Sequence, residues 1–236
     1  MDGKNPTLLS GYGSYGSVSG VGYYTSRLPW LEKGGIYAIA HIRGGGEFGK
    51  QWHLAGRMQN KPNTWKDFIA CAEYLVEKNY TSTGYLAGQG GSAGGITIGR
   101  AITERPDIFQ AAIINVGDLD MLRIETTTNG VPNIKEFGTV KDEAGFKGLL
   151  SMSSLHHVRD GVDYPAVLLT HGINDPRVAP WTSAKMTARL QAATSGHRPI
   201  LFRVDFGAGH GIGSTKSQRF DQMADQMAFL FWQFGL

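Results

Sequence analysis

One cysteine, Cys71, stands in 236 residues, so no intrachain disulfide framework holds this chain together. It falls on an apolar helical face, where a buried structural role is expected. Charge is also sparse: Asp, Glu, Lys and Arg make up 18% and the net charge is only +3. No run of five or more Lys and Arg occurs, which leaves no electrostatic footprint for nucleic acid. No apolar run reaches bilayer-spanning length, and residues 1–6 lack an apolar signal core. The expectation is a soluble cytoplasmic protein with no membrane partner. No cluster of Cys, His and Asp has metal-ligand spacing, so no metal is expected. Internal repeats and low-complexity linkers are absent, and residues 1–236 read as a single domain.

What is present points to an α/β fold. Hydrophobic residues reach 41% and the length suffices for one large core. The 33 glycines are about twice average usage, which suggests many tight loops. Short apolar, β-branched runs at residues 7–10, 36–42, 85–88, 111–116, 166–170 and 200–204 read as strands. Helical patterns fill 24–32, 64–78, 94–104, 182–193 and 217–234, with Thr64 placed to cap the second. This alternation predicts a mostly parallel sheet covered by helices on both faces. Chemistry in such sheets gathers in loops at the carboxyl ends of the strands. Residues 125–154 read as irregular, an insertion over that active face.

The segment Gly90-Gly91-Ser92-Ala93-Gly94-Gly95 joins an apolar strand to a helix and is the one G-x-S-x-G in the chain. Such a turn presents a serine on a tight bend, and glycines two residues to either side avoid a Cβ clash. A serine nucleophile needs a base and a carboxylate to orient it, in the order Ser, acid, His on this fold class. His210, between Gly209 and Gly211 after the last strand, is the favoured base; His197 falls at the opposite end of the sheet and reads as exposed. Asp175, on a carboxyl-end loop, is the favoured acid. Asp118 and Asp120 are alternatives, and Asp205 is too close to His210 in sequence to face it easily. An oxyanion hole would take the Ala93 N–H and the Tyr12 phenol. Residues 11–16 and 44–49 each fit G-x-G-x-x-G, a dinucleotide fingerprint, but neither runs into a clear helical face, and the next strand ends in His41-Ile42-Arg43 without an acidic residue.

Together, Gly11-Tyr12-Gly13, His41-Ile42-Arg43-Gly44-Gly45-Gly46-Glu47-Phe48-Gly49, the Ser92 segment, Asp175-Pro176-Arg177-Val178 and Gly209-His210-Gly211 resemble the catalytic domain of the prolyl oligopeptidase family, oligopeptidase B relatives included. The resemblance runs across nearly the whole chain. It implies an α/β-hydrolase fold and a serine-peptidase mechanism with Ser92, Asp175 and His210 as triad and no cofactor. Tyr12 matches the oxyanion tyrosine, Arg177 an arginine that holds a substrate carbonyl, and Tyr15 an aromatic position of the specificity pocket.

Three departures follow. The family's propeller has no counterpart, and the strands that begin its sheet are missing, so the fold is expected to be N-terminally truncated. Where prolyl-specific members stack a tryptophan on proline, the alignment places Asn133, with Phe137 at a nearby tyrosine position. Glu125 and Glu136 read as solvated loop carboxylates. The expectation is a hydrolase of small esters or short peptides, with ester cleavage favoured. The rivals are a non-catalytic binding module and a dinucleotide-binding protein. An exposed edge at residues 36–42 predicts a homo-oligomer.

Overall fold

In the computed structural model, which describes residues 2–211 and 215–236, six strands build one sheet in the order β2-β1-β3-β4-β5-β6. They are β1 (Thr7–Ser10), β2 (Ile36–Ile39), β3 (Leu86–Gly91), β4 (Ala111–Asn115), β5 (Ala166–Gly172) and β6 (Ile200–Asp205). Every neighbouring pair is parallel. The inner strands β4 and β5 are continuous buried runs, as strands covered on both faces must be. β2 and β6, at the two edges, are only partly covered. Strand order reverses at β1 and β3, so the chain leaves their carboxyl ends toward opposite faces and opens a crevice there.

Side chains alternate between two cores, as a period of two requires. On one face Leu8, Ala87, Ile113 and Leu168 meet Trp30 of α1 (Leu28–Glu32) and Phe229 and Leu230 of α8 (Lys216–Phe234). On the other, Leu9, Leu86, Ile114 and Leu169 pack under α3 (Pro62–Glu77), α4 (Gly94–Glu104) and α7 (Trp181–Ala193) through Trp65, Phe68, Ile96, Met186 and Leu190. Thr215 and Gln218 close a reciprocal capping box at the start of α8, and Gly235 ends it in the left-handed region (φ 68°). Cys71 is partly buried against the second core.

Several elements differ from the sequence reading, each for a local reason. The first helix begins only at Leu28, with Pro29 in its first turn and a 3₁₀ turn before it. α3 starts two residues before Thr64, at Pro62. Thr64 is therefore not the cap; its hydroxyl donates to the Arg43 carbonyl at 2.8 Å. A five-residue helix, α2 (Lys50–Leu54), follows Gly49 where no helical face was legible. Residues 125–154, expected to be irregular, contain α5 (Gly130–Phe137) and α6 (Glu143–Met152). Two of their glycines are packing positions: a Cβ on Gly130 would strike the Ile124 carbonyl, and one on Gly145 the Thr139 carbonyl. Asp142 caps α6 by accepting the Gly145 N–H at 2.8 Å.

Candidate active site

Ser92 sits between the end of β3 and the start of α4 with φ +54°, a left-handed conformation for a non-glycine residue. Such a residue is strained by about 1–2 kcal/mol and persists where neighbours over-determine it. Three hydrogen bonds do so here: Ser92 N–H to Asn115 O at 2.8 Å, and Gly95 N–H (2.8 Å) and Asp118 N–H (3.0 Å) to Ser92 O. A Cβ on Gly90 would lie 2.7 Å from Gly94 O, and one on Gly95 only 2.5 Å from the Gly117 Cα. The bend requires those glycines.

His210 and Asp175 arrive from the loops after β6 and β5. The His210 Nδ1–H donates to Asp175 Oδ2 at 2.7 Å, since a carboxylate can only accept. That leaves Nε2 as acceptor for the Ser92 hydroxyl at 3.0 Å. Asp175 Oδ1 accepts the Arg177 and Val178 N–H groups at 2.8 and 2.9 Å. A second histidine reaches the same carboxylate: His171 Nε2 lies 3.3 Å from Asp175 Oδ2 and 3.1 Å from the Val178 carbonyl, while its Nδ1 pairs with Ser183 Oγ at 2.8 Å. Both Nε2 partners are acceptors, so Nε2 carries the proton and the serine hydroxyl donates to Nδ1. The Asp175 side chain is wholly buried. Burial opposes its ionisation, yet the donors from His171, His210, Val178 and Arg177 outweigh burial and hold the carboxyl well below the usual range.

The other rim is the loop at residues 11–16. Tyr12 follows β1, and its carbonyl accepts the Thr97 hydroxyl of α4 at 3.0 Å. Its phenol is pushed up by burial and by the charges of Asp118 and Glu136, against the Ser92 side chain and the Arg177 charge. Arg177 is exposed. Among the described residues the Ala93 N–H donates to no backbone carbonyl. Tyr15 has φ +58° and is 42% exposed. The buried Lys61 of the turn before α3 holds this loop, donating to Gly13 O and Ser14 Oγ, both at 2.5 Å. Burial drives its ammonium down to about 7 despite the charges of Glu136 and Asp118.

The second glycine-rich segment backs the first. Cβ atoms on Gly44 and Gly46 would collide with the Gly13 and Gly16 carbonyls. The glycines at 44–49 thus let one loop lie on the other, and neither loop opens a long helix.

Three expectations need correction. Asn133 and Phe137 are buried, 8% and 1% exposed; they support Tyr15 from behind rather than offer surface to a ligand. The Tyr15 hydroxyl donates to Asn133 Oδ1 at 2.9 Å, and the two rings meet edge-on at 5.5 Å. Glu136 is not solvated: it is 5% exposed and accepts the Tyr15 N–H at 2.7 Å and His53 Nε2–H at 2.8 Å. Glu125 accepts the Thr139 hydroxyl and the Val140 N–H, bracing its loop. His197 is exposed, as read. Asp120 pairs with Lys185 at 2.5 Å, away from His210. Asp118, by contrast, lies in the site. The strained Val116 (φ +45°) turns the chain after β4 and carries Asp118 beneath Ser92. Among the described residues no group of three His, Cys, Asp or Glu has a metal-binding arrangement.

His171 and Lys61 went unassigned in the sequence because a buried polar side chain leaves no periodic mark, and Asp118 was read only as an alternative acid.

The chain matches the prolyl oligopeptidase family over residues 22–236. It is 41% identical over its full length to a prolyl endopeptidase of Elizabethkingia miricola, covering 34% of that protein. It is 36% identical to protease 2 of Moraxella lacunata, again covering 34% of the relative. Among solved structures, it superposes with a TM-score of 0.96 and 41% identity on a chain from a study of two prolyl endopeptidases, matching 99% of this chain and 35% of that one. Oligopeptidase B of Leishmania major gives 0.92 at 34% identity over 98% of this chain and 33% of the other. The architecture is that of the α/β-hydrolase catalytic domain of these structures, and the chain spans about a third of the length of its relatives.

Proposed function

The chain belongs to the prolyl oligopeptidase family, and on that footing we propose that residues 1–236 form one catalytic domain of a serine hydrolase. The observation that carries this reading is the unbroken line from Ser92 Oγ through His210 to Asp175, at 3.0 and 2.7 Å. These residues come from three separate strand ends. Ser92 Oγ attacks the substrate carbonyl carbon while its proton passes to His210 Nε2. Asp175 fixes the tautomer and stabilises the imidazolium. Tyr12 and the Ala93 N–H receive the developing oxyanion, with Arg177 set to hold a neighbouring substrate carbonyl. The imidazolium protonates the leaving group, and water then hydrolyses the acyl-enzyme by the same steps reversed. Each step is a proton or acyl transfer, so no cofactor enters.

Substrates are small esters or short peptides, with Tyr15 lining the pocket beside the nucleophile. Esters are the better substrates, because an amide leaving group demands protonation and tighter alignment. Proline specificity is not carried over from the relatives, because Asn133 lies behind Tyr15.

Labelling with a fluorophosphonate probe tests the reading: wild-type protein labels and the Ser92→Ala variant does not. Folded protein without Ser92-dependent labelling would leave a binding module instead. A panel of p-nitrophenyl esters beside prolyl and arginyl amides then ranks the substrates, and faster turnover of the amides would overturn the ester preference.

A further inference from the structure

His171 is a buried imidazole at the site that the line from Ser92 to Asp175 does not use. Side chains of β5 alternate between faces, so His171 continues the row of Val167 and Leu169 that packs beneath α7. A residue needed there only for packing would be apolar, because a buried imidazole must find a partner for each ring nitrogen. His171 is 2% exposed and finds them. The Ser183 hydroxyl of α7 meets its Nδ1 at 2.8 Å. Its Nε2 faces two acceptors, the Val178 carbonyl at 3.1 Å and Asp175 Oδ2 at 3.3 Å.

The Asp175 side chain is wholly buried, so its hydrogen bonds must come from the protein. A carboxylate has roughly four acceptor positions. Oδ1 takes the Arg177 and Val178 amides, and Oδ2 takes His210. His171 approaches the position that remains, on the same oxygen that faces the catalytic imidazole. Burial raises the Asp175 carboxyl, and His171 is foremost among the groups that lower it. Of the other ionisable groups around this pair, Asp118 on the loop after β4 acts by charge on both Asp175 and His210, and Arg177 is exposed.

We propose that His171 is a positioning residue of the reaction. It completes the donor set of Asp175, holds the carboxylate against rotation and draws charge away from the oxygen that faces His210. No proton moves at His171; it acts through Asp175. This assignment rests on the serine-hydrolase reading and extends its line of contacts from Asp175 to His171 and Ser183.

The acid limb of kcat/KM for a p-nitrophenyl ester tests it, since that limb reports protonation of the free enzyme's base. In His171→Leu the charge on Oδ2 is undiluted and favours the imidazolium more, so the limb moves to higher pH. A loosened carboxylate also lets the imidazole swing, and kcat falls by about 10-fold or more. His171→Gln carries an amide donor near the Nε2 position and returns the limb toward its wild-type place; thermal melting confirms that both variants fold. An unmoved limb in folded His171→Leu overturns the proposal even where kcat drops, because a cavity lowers activity without changing the charge on Oδ2. Nitrogen-15 spectra of the histidine-labelled wild type depend on no variant. They should show His171 Nε2 protonated throughout the pH range of activity, and a bare Nε2, its lone pair turned toward Asp175, overturns the proposal as well. Absence of fluorophosphonate labelling would instead overturn the hydrolase reading, and the spectra would still report the contact between His171 and Asp175.

Discussion

Four donors converge on the Asp175 carboxylate, and that number sets the chemistry at the residue scale. Replacing it by Asn forces the wrong imidazole tautomer, so kcat should fall on the order of 10⁴-fold. The same substitution has a signature in stability. The folded carboxyl titrates below its ordinary value of 3.8, so its stabilisation is complete above that pH and is lost as pH falls toward the folded value. Melts of wild type and Asp175→Asn should therefore differ at neutral pH and draw together only as pH falls below 3.8 toward the folded value; parallel curves would contradict this. If Tyr12 is the oxyanion donor proposed for it, Tyr12→Phe should cost about 100- to 1000-fold in kcat with little change in KM. Ser92, Asp175 and His210 were legible in the sequence because tight turns need glycine and the order along the chain is fixed by the fold. His171, one turn before Asp175, was not legible: nothing local separates a buried histidine that orients a carboxylate from one that merely packs.

At the scale of elements, the loop at residues 11–16 is held on three sides, by Lys61 from beneath, by Glu136 of α5 and by the glycines at 44–49. Sequence reading recovered the six strands and the long helices, because apolar periodicity survives in a buried sheet. It failed at α5 and α6, where residues 125–154 carry four glycines, Gly130, Gly138, Gly145 and Gly148, and no clear apolar periodicity. It also set Glu136 in solvent, since a charge carries no sign of the partners that bury it. Lys61→Met tests the support. Without its two hydrogen bonds the loop loosens, and kcat should fall by about 10-fold or more, because small misplacements of oxyanion and binding groups are expensive. Lys61 also predicts a pH trend. Its ammonium is held down to about 7 against 10.5 for the free side chain, so between those values the unfolded chain binds more protons. Stability attributable to Lys61 must therefore rise as pH climbs from about 7 to 10. Urea titrations should show that rise in wild type and a smaller one in Lys61→Met.

At the scale of the whole molecule, among the described residues β2 has a partner on one side only, β1. Beside that edge, Val21 and Tyr23 are 90% and 80% exposed. The segment is tied to the sheet by Arg27, whose guanidinium lies over the Tyr24 and Tyr37 rings at 4.2 and 4.0 Å. An unpaired strand edge flanked by apolar side chains is a template for another chain. β2 lies at the sheet edge, but it spans only Ile36–Ile39 of the expected 36–42 and is half-buried; the assembly such an edge favours is a second copy joined along β2. Light scattering at micromolar concentration should then give a mass that is a multiple of 25.6 kDa. Val21→Asp combined with Tyr23→Asp places charge beside the edge and should shift that mass toward the monomer. Neither residue touches Ser92, His210 or Asp175, so fluorophosphonate labelling of the double variant should persist. A wild-type chain that scatters as a monomer at that concentration would remove the argument, since an edge that pairs with nothing in solution is already protected by its own twist and short length.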